Sequence, residues 1–284
     1  MNDEISKNKI GFKRGLTQVF DTIHFEFKKN LKKTIIMLLF FLFVFALNVV
    51  LQQFREFQGV DLPEDPVNYV QLYLDLIGLL IIISASGFAG GIIAEDYQKD
   101  TRNLLFPKIN KTRLLAGRVI SLYFLNILMV GFYYALVSII TFIKYSIVPI
   151  SILTSMGWAL FYNFTLFTFV TFISSVMKSS SVSIIVSLLV LLIVFNIVSS
   201  ILIFTGVTEY VEPLFILTYY GNIISNCLDM PDPRYGIIYG RPGPGAPEFT
   251  SWITPSFKGA AVGLIIHSAI FLGTAYILFK RRNK

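Results

Sequence analysis

Residues 34–54 read TIIMLLFFLFVFALNVVLQQF and carry no formal charge. A helix needs about 20 mostly apolar residues to cross the hydrocarbon core of a bilayer. Similar blocks follow at residues 69–94, 119–143, 150–177, 181–205 and 259–279. The sequence lacks the alternating segments of about 10 residues that are typical of membrane barrels. It therefore predicts an all-α polytopic membrane protein with six transmembrane helices.

The composition of the whole chain agrees with this prediction. Of its 284 residues, 55% are hydrophobic and 14% are charged, which is too little polar surface for a soluble domain of this size. The first block follows 33 mostly polar residues and lacks a small-x-small cleavage site, so it is not a signal peptide. The lone Cys227 excludes an internal disulfide. We treat residues 1–284 as a single transmembrane domain.

The distribution of basic residues predicts the orientation. If the N-terminus is inside, the inner segments hold 19 of the 24 Lys and Arg residues and the outer segments hold 5. This asymmetry follows the positive-inside rule and places both termini in the cytoplasm. The net charge of +7 is thereby explained by topology, and no nucleic-acid partner is expected. Few cysteines and Lys-rich inner loops suit the plasma membrane of a prokaryote.

The segment that precedes the first span predicts an amphipathic helix over residues 12–31. Its apolar residues recur at steps of three and four, which places them on one helical face. They are Phe12, Leu16, Val19, Phe20, Ile23, Phe27 and Leu31. Lys and Arg occupy the other face, so we expect the helix to lie in the inner membrane interface. The alternative is a helix packed on a soluble partner, which has the same pattern.

The last outer segment, residues 206–258, is much longer than the other connections. Its first part, EYVEPLFILTYYGNIISNCL, predicts a helix with Pro213 in its first turn. This helix is too short to cross a bilayer, so a re-entrant or interfacial position fits best. The part that follows is rich in Pro and Gly and predicts an ordered, non-helical cap.

The densest charge cluster is EDYQKDTRNLLFPKINKTRLLAGR, residues 95–118, between the second and third spans. The orientation places it in the cytoplasm. We expect a short helix over residues 99–106 that ends before Pro107 and exposes Leu104, Leu105 and Phe106. An exposed apolar knob of this kind needs a cover. Either it folds back against the spans or it docks on a cytosolic partner.

This arrangement resembles the ABC-2-type permeases, the membrane subunits of certain ATP-binding-cassette transporters. They have six spans, cytoplasmic termini, an amphipathic helix before the first span and re-entrant helices before the sixth. Their inner segment has an acidic residue, Gly-Thr, Leu, Pro, a basic residue and Gly-Lys in that order. The matching residues are Glu95, Asp100-Thr101, Leu104-Leu105, Pro107, Arg113 and Gly117-Arg118. Asp100 replaces the usual Gly, and Arg118 the usual Lys.

The resemblance implies the partners and the mechanism. Two permease subunits, identical or paralogous, would each rest on one copy of a cytosolic ATPase subunit. ATP and Mg²⁺ would be bound there, because this sequence has no G-x-x-x-x-G-K-[ST] loop and so no expected cofactor or enzymatic activity of its own. By resemblance, the charged segment at residues 95–118 would dock on the ATPase, and we call it the docking segment. Its docking residues would be Glu95, Asp100, Thr101, Leu104, Leu105, Phe106, Pro107 and Arg113. The implied function is that of an exporter subunit.

Polar residues inside the spans are the remaining candidates for a functional role. These are Asp75, Asn163, Asn196 and His267. Each is either a structural hydrogen-bonding group or part of a transport path. Asp75 and His267 alone do not form a proton relay, so proton-coupled transport is disfavoured. The sequence offers no set of residues for nucleophilic catalysis and no ligand spacing for a metal.

One other class of function stays open at this point. A chain with the same topology can transmit ATP-driven force to an extracytoplasmic partner, or assist membrane assembly, without moving cargo. The long outer segment at residues 206–258 suits such a role. The sequence alone does not separate this possibility from transport.

Overall fold

The computed structural model of the chain describes residues 2–98, 110–239 and 248–281, with their side chains except those of residues 2–15 and 237–249. Within these ranges, five helices are long and apolar enough to cross a membrane. A pair of shorter helices that meet at an angle makes a sixth span if the pair is counted as one. The chain is thus helical and multi-pass, as predicted. The identity of the membrane and the orientation stay predictions.

The first helix, α1, runs without interruption from Asn2 to Phe57. We expected a separate interfacial helix over residues 12–31, but no Pro or Gly lies between it and the span to stop the helix. Thr22 and Glu26 are buried, whereas Phe20 and Leu31 of the predicted apolar stripe are 65% and 58% exposed. The side of this segment that packs inside the protein therefore includes polar residues beside the partly buried Phe27, and its placement in the interface stays a prediction.

The second span is bent by 40° between α2 (Pro66–Leu74) and α3 (Ile77–Ala89). The break leaves carbonyl groups in the last turn of α2 without their usual helical partners. The Tyr133 hydroxyl donates a hydrogen bond to one of them, the carbonyl of Tyr73, at 2.6 Å. The predicted span at residues 69–94 therefore exists in two pieces, and Asp75 lies at the junction.

A tight turn then leads into α4 (Ala94–Gln98), which ends the first described range. The Ser174 hydroxyl accepts hydrogen bonds from the backbone N–H groups of Ile93 and Ala94, at 3.1 and 3.0 Å. These bonds satisfy N–H donors that the turn and the start of α4 leave without a helical partner. The turn is thereby fixed to the fourth span.

Four further spans follow along the chain, and the third span of the chain begins at Lys111, within the charged segment, rather than at residue 119. They are α5 (Lys111–Tyr145), α6 (Ser151–Val176), the fifth span made of α7 (Ser180–Leu189), a π-helical turn (Val190–Val194) and α8 (Phe195–Phe204), and α10 (Phe257–Arg281). In α6, 67% of the apolar stretch is buried, compared with 11% in the fifth span. The fourth span is therefore the centre of the bundle, and the fifth lies at its edge.

The segment between the last two spans folds into short pieces. It contains 3₁₀ turns at Val207–Glu209 and Leu217–Gly221, helix α9 (Asn222–Asn226), and the antiparallel strands β1 (Tyr235–Tyr239) and β2 (Glu248–Trp252). The helical part begins at Leu217 rather than at Pro213. It is buried in the bundle, where the Ser155 hydroxyl donates to the carbonyl of Ile224 at 2.6 Å. The strands add a small sheet to a fold that we expected to be all-α.

Two glycines of α5 test how closely α1 and α5 pack. A Cβ atom on Gly117 would lie 2.8 Å from Cβ of Thr22 and 3.2 Å from the carbonyl oxygen of Val19, whereas one on Gly131 would meet nothing within 4 Å. We expect Gly117→Ala to lower the stability of the protein by about 1–3 kcal/mol through overpacking. Gly131→Ala, the matched control, should stay within about 1 kcal/mol of wild type, because Ala favours a helix.

Thermal unfolding in detergent gives the melting temperatures of both variants and of the wild type. Equal melting temperatures for Gly117→Ala and the wild type would contradict the close crossing of α1 and α5.

Candidate functional site

A buried cluster of charged side chains lies where α1, α4 and α5 meet. We call this end of the bundle, which carries Lys29 and Arg118, the basic end. Its centre is the guanidinium group of Arg118. Nη1 and Nη2 donate to the two carboxylate oxygens of Asp96, at 2.6 and 2.9 Å. Nε donates to Oε1 of Glu26 at 3.0 Å, and Nη1 also donates to the carbonyl of Ile92 at 3.0 Å.

The three charged side chains are almost completely buried. The exposed fractions are 6% for Arg118, 2% for Glu26 and 1% for Asp96. Burying a charge is costly unless it is paired and hydrogen-bonded, and a two-point contact between Arg and a carboxylate is among the strongest such pairs. Any movement that separates α4 from α5 would break the two-point contact between Arg118 and Asp96. The cluster therefore holds the three helices in a fixed arrangement.

Further polar residues contact Glu26 on the side of the cluster that faces the surface. The Asn30 amide donates to Oε2 of Glu26 at 3.1 Å, and Nζ of Lys29 lies 3.6 Å from the same oxygen. Lys29 also pairs with Glu95. The first two acidic residues of the charged segment, Glu95 and Asp96, are thus both bonded to residues of the spans or their extensions.

The structure reaches only two of the predicted docking residues. Glu95 pairs with Lys29, and Nη1 of Arg113 donates to the side-chain carbonyl of Gln18 at 3.1 Å. The others, Asp100, Thr101, Leu104, Leu105, Phe106 and Pro107, lie outside the described residues. Their docking role stays a prediction.

A cavity of about 450 Å³ lies in the opposite half of the bundle, between the second span, the fifth span and the segment that follows α8. Its polar lining consists of Asp75, Tyr162, Asn196, Thr218, Asn222 and Ser225. A neighbouring cavity of about 220 Å³ shares Asn196, Thr218 and Asn222 and reaches Ser251 and Trp252 of β2. Together they extend from the break in the second span to the strands.

Local backbone features place two of these side chains. Asp75 follows the last residue of α2, nine residues after Pro66, which puts it about 13 Å along the helix at 1.5 Å per residue. Asn196 comes two residues after the π-helical turn, and its amide donates to the carbonyl of Leu192 at 2.6 Å. Such turns are rare and occur frequently at functional sites.

The four predicted intramembrane residues thus have different surroundings. Asp75 and Asn196 line the same cavity. Asn163 instead accepts a hydrogen bond from the amide of Asn126 at 2.7 Å, and this pair joins the third and fourth spans. His267 bonds through Nδ1 to the carbonyl of Gly263 in its own helix, at 2.7 Å. The last two contacts are structural.

The strand-containing cap above the cavity is held by a further ion pair. Nη1 of Arg234 lies 3.3 Å from Oε1 of Glu212, which also accepts a hydrogen bond from Tyr219 at 3.1 Å. Burial and the neighbouring Glu212 carboxylate raise the pKa of Tyr219. Its hydroxyl therefore stays protonated and keeps this bond at neutral pH.

Sequence reasoning missed Glu26 and Asp96 as partners of Arg118, and Tyr162 and Asn222 as cavity residues. Glu26 gave no distinctive signal, because the first helix also contains Asp3, Glu4 and Asp21. Tyr162 gave none, since many aromatic residues occur in the spans and only the packing shows which of them reaches the cavity.

No family model matches the chain, and no curated protein matches it at a significant level. The assignment of function therefore rests on the residues and their geometry.

Replacement of Arg118 tests the buried cluster. Arg118→Gln removes the guanidinium group that bonds to the buried carboxylates of Glu26 and Asp96, so we expect a loss of stability of about 3–5 kcal/mol. The control Arg113→Gln, which removes a half-buried arginine bonded to Gln18, should cost much less. Thermal unfolding in detergent, followed by fluorescence, measures both variants.

The variant Glu26→Gln/Asp96→Asn/Arg118→Met removes all three charges and should recover most of the stability that Arg118→Gln loses. If Arg118→Gln melts at the wild-type temperature, the cluster does not hold the three helices together.

Proposed function

We propose that the chain is the membrane subunit of an ATP-driven ABC transporter, an exporter whose ATP hydrolysis takes place in a separate cytosolic subunit. The observation that carries the proposal is the bond between Arg118 and Asp96. It ties the start of the predicted docking segment to the spans through buried charged contacts. A segment that only connected two spans would not need such an anchor.

The same helix that holds the docking segment also reaches the break in the second span. Arg118 and Tyr133 both belong to α5, and Tyr133 bonds to the carbonyl of Tyr73 at the end of α2. The two residues are separated by about 22 Å along the helix axis at 1.5 Å per residue. Motion imposed on the docking segment would therefore act on the cavity through one rigid element.

The exposed polar rim of the cavity favours a complex with two copies of the membrane subunit. Asp75, Asn196 and Asn222 are exposed on the side of the bundle. A carboxylate in contact with lipid tails is costly, so such residues normally face a protein partner or water. Pairing of two subunits across this side, with water between them, would remove these residues from lipid. Symmetric pairing of this type is the commonest arrangement of oligomers.

Two observations bear on whether cargo is moved. The cavity favours transport, because the transmission of force requires no space between the spans. The folded cap, with the pair of Arg234 and Glu212 and its two strands, favours instead an outer partner that receives the force. We place transport first because the polar cavity lies inside the predicted membrane region and connects with the cap.

Co-purification tests the proposal. The tagged chain, extracted from its native membrane in mild detergent, should elute with a subunit that contains a Walker motif and hydrolyses ATP. Leu104→Asp should abolish this association, because it places an unpaired charge in the predicted docking contact. Val60→Asp is the matched control, since Val60 is exposed at the opposite end, and it should leave the complex intact.

The absence of any ATPase from the wild-type complex would contradict the proposal. A different result would favour force transmission over transport. In proteoliposomes, the ATPase activity of the complex would then respond to an added outer protein but to no lumenal or external solute.

A further inference from the structure

We propose that the cavity beside Asp75 binds an organic cation, an ammonium or similar group on an apolar body. The binding itself is independent of any ATPase; only the role of this cation as cargo rests on the function proposed above.

The charge of the cavity points to a cation. Among the described residues that line it, Asp75 is the only one with a charged side chain. Its carboxylate makes no hydrogen bond or ion pair with another described residue. Arg55 attracts this carboxylate electrostatically, but its guanidinium bonds to Gln52 at 3.5 Å and makes no ion pair with Asp75. A bound cation would give this carboxylate the direct ionic contact that the described residues do not provide.

A buried hydroxyl group provides a second, independent indication of a ligand. The side chain of Tyr162 is 1% exposed and lines the cavity, yet its hydroxyl bonds to no other described residue. Buried tyrosine hydroxyls normally have a partner.

The shape and the remaining lining suit an organic molecule. A volume of about 450 Å³ lies within the range of small-molecule sites. Leu74, Ile77, Leu191 and Leu192 form apolar walls next to the polar groups. A ligand with one charged group and an apolar body would match both parts of this lining.

A metal ion fits the site poorly. Calcium takes about six to eight oxygen ligands, and magnesium usually binds one or two carboxylates together with phosphate groups, whereas the cavity supplies a single carboxylate. In the described part of the chain, no group of three His, Cys, Asp or Glu residues is close enough to hold a metal.

Equilibrium binding to the purified chain tests the inference without an ATPase. The probe is a fluorescent dimethylaminostyryl dye with an N-methylpyridinium ring, and its control is the same dye without the N-methyl group, which is uncharged at pH 8. In an uncharged maltoside detergent, we expect wild type to bind the cation at least about 10-fold more tightly than the neutral dye.

Variants assign the preference to Asp75. Asp75→Asn should weaken cation binding about 10-fold and change neutral-dye binding by less than about twofold, because only the charge is lost. Asp75→Glu should keep the preference for the cation. Tyr162→Phe should weaken the cation about threefold through the loss of one polar contact. Asp61→Asn, the matched control, removes an exposed carboxylate outside the cavity and should change neither affinity.

Equal binding of the two dyes to the wild type would overturn the inference, and this result does not depend on the folding of any variant. Unchanged cation affinity in Asp75→Asn would overturn it as well. The cation could be a free organic molecule or the headgroup of a lipid, and added phosphatidylethanolamine distinguishes the two. If this lipid competes with the dye in the wild type but not in Asp75→Asn, the site stands and a lipid headgroup is its occupant. Cation binding in a chain that never associates with an ATPase would preserve this inference and defeat the proposed function.

Discussion

The contact between the guanidinium of Arg118 and the carboxylates of Glu26 and Asp96 is the constraint on which the rest of the basic end depends. A membrane protein has little reason to bury three charges unless their mutual position matters, because their desolvation is costly and an apolar replacement is often as stable. Here the cost is offset by five short polar contacts that include a backbone carbonyl and the Asn30 amide. These contacts fix the point at which the charged segment leaves the spans.

The break in the second span is the corresponding feature of the opposite half. A straight helix would have satisfied its own carbonyl groups, but it would have carried Asp75 within a continuous span. The bend places this carboxylate at the edge of a cavity, and Tyr133 compensates for the carbonyl that the bend frees. Since Tyr133 and Arg118 belong to the same helix, the arrangement of the basic end and the shape of the cavity depend on each other. This connection is the physical basis of the proposed coupling.

Much of the architecture followed from the sequence, because apolar length alone defines spans in a bilayer. The helical, multi-pass character of the chain was accessible in this way, whereas the start of α5 at Lys111, eight residues before the apolar block, was not. The continuity of α1 was not, since a stripe of apolar residues such as Phe20 and Leu31 indicates a face but not what covers it. Phe20 and Leu31 of the predicted stripe are exposed, and polar Thr22 and Glu26 are buried because Gly117 and Arg118 of α5 lie against them.

The sites show the same limit. Asp75 and Asn196 were candidates because a polar residue in a span is rare. Their common cavity depends on a bend and a π-helical turn, and no local sequence pattern predicts either. Tyr162 and Asn222 join them only through the packing of distant segments. The small sheet at Tyr235–Tyr239 and Glu248–Trp252 was hidden for another reason: its strands are short and lie among Pro and Gly residues that favour turns.

The central claim is that ATP acts on the cavity through the basic end. The direct measurement is the rate at which a water-soluble thiol reagent modifies Leu79→Cys, a residue at the cavity, with and without ATP. It is made in a Cys227→Ser background, in the proposed complex with the ATPase. Leu51→Cys, an exposed residue of α1 outside the cavity, is the control. The account predicts that ATP changes the reaction rate at position 79 several-fold and leaves position 51 unchanged. Identical rates at position 79 with and without ATP would contradict it.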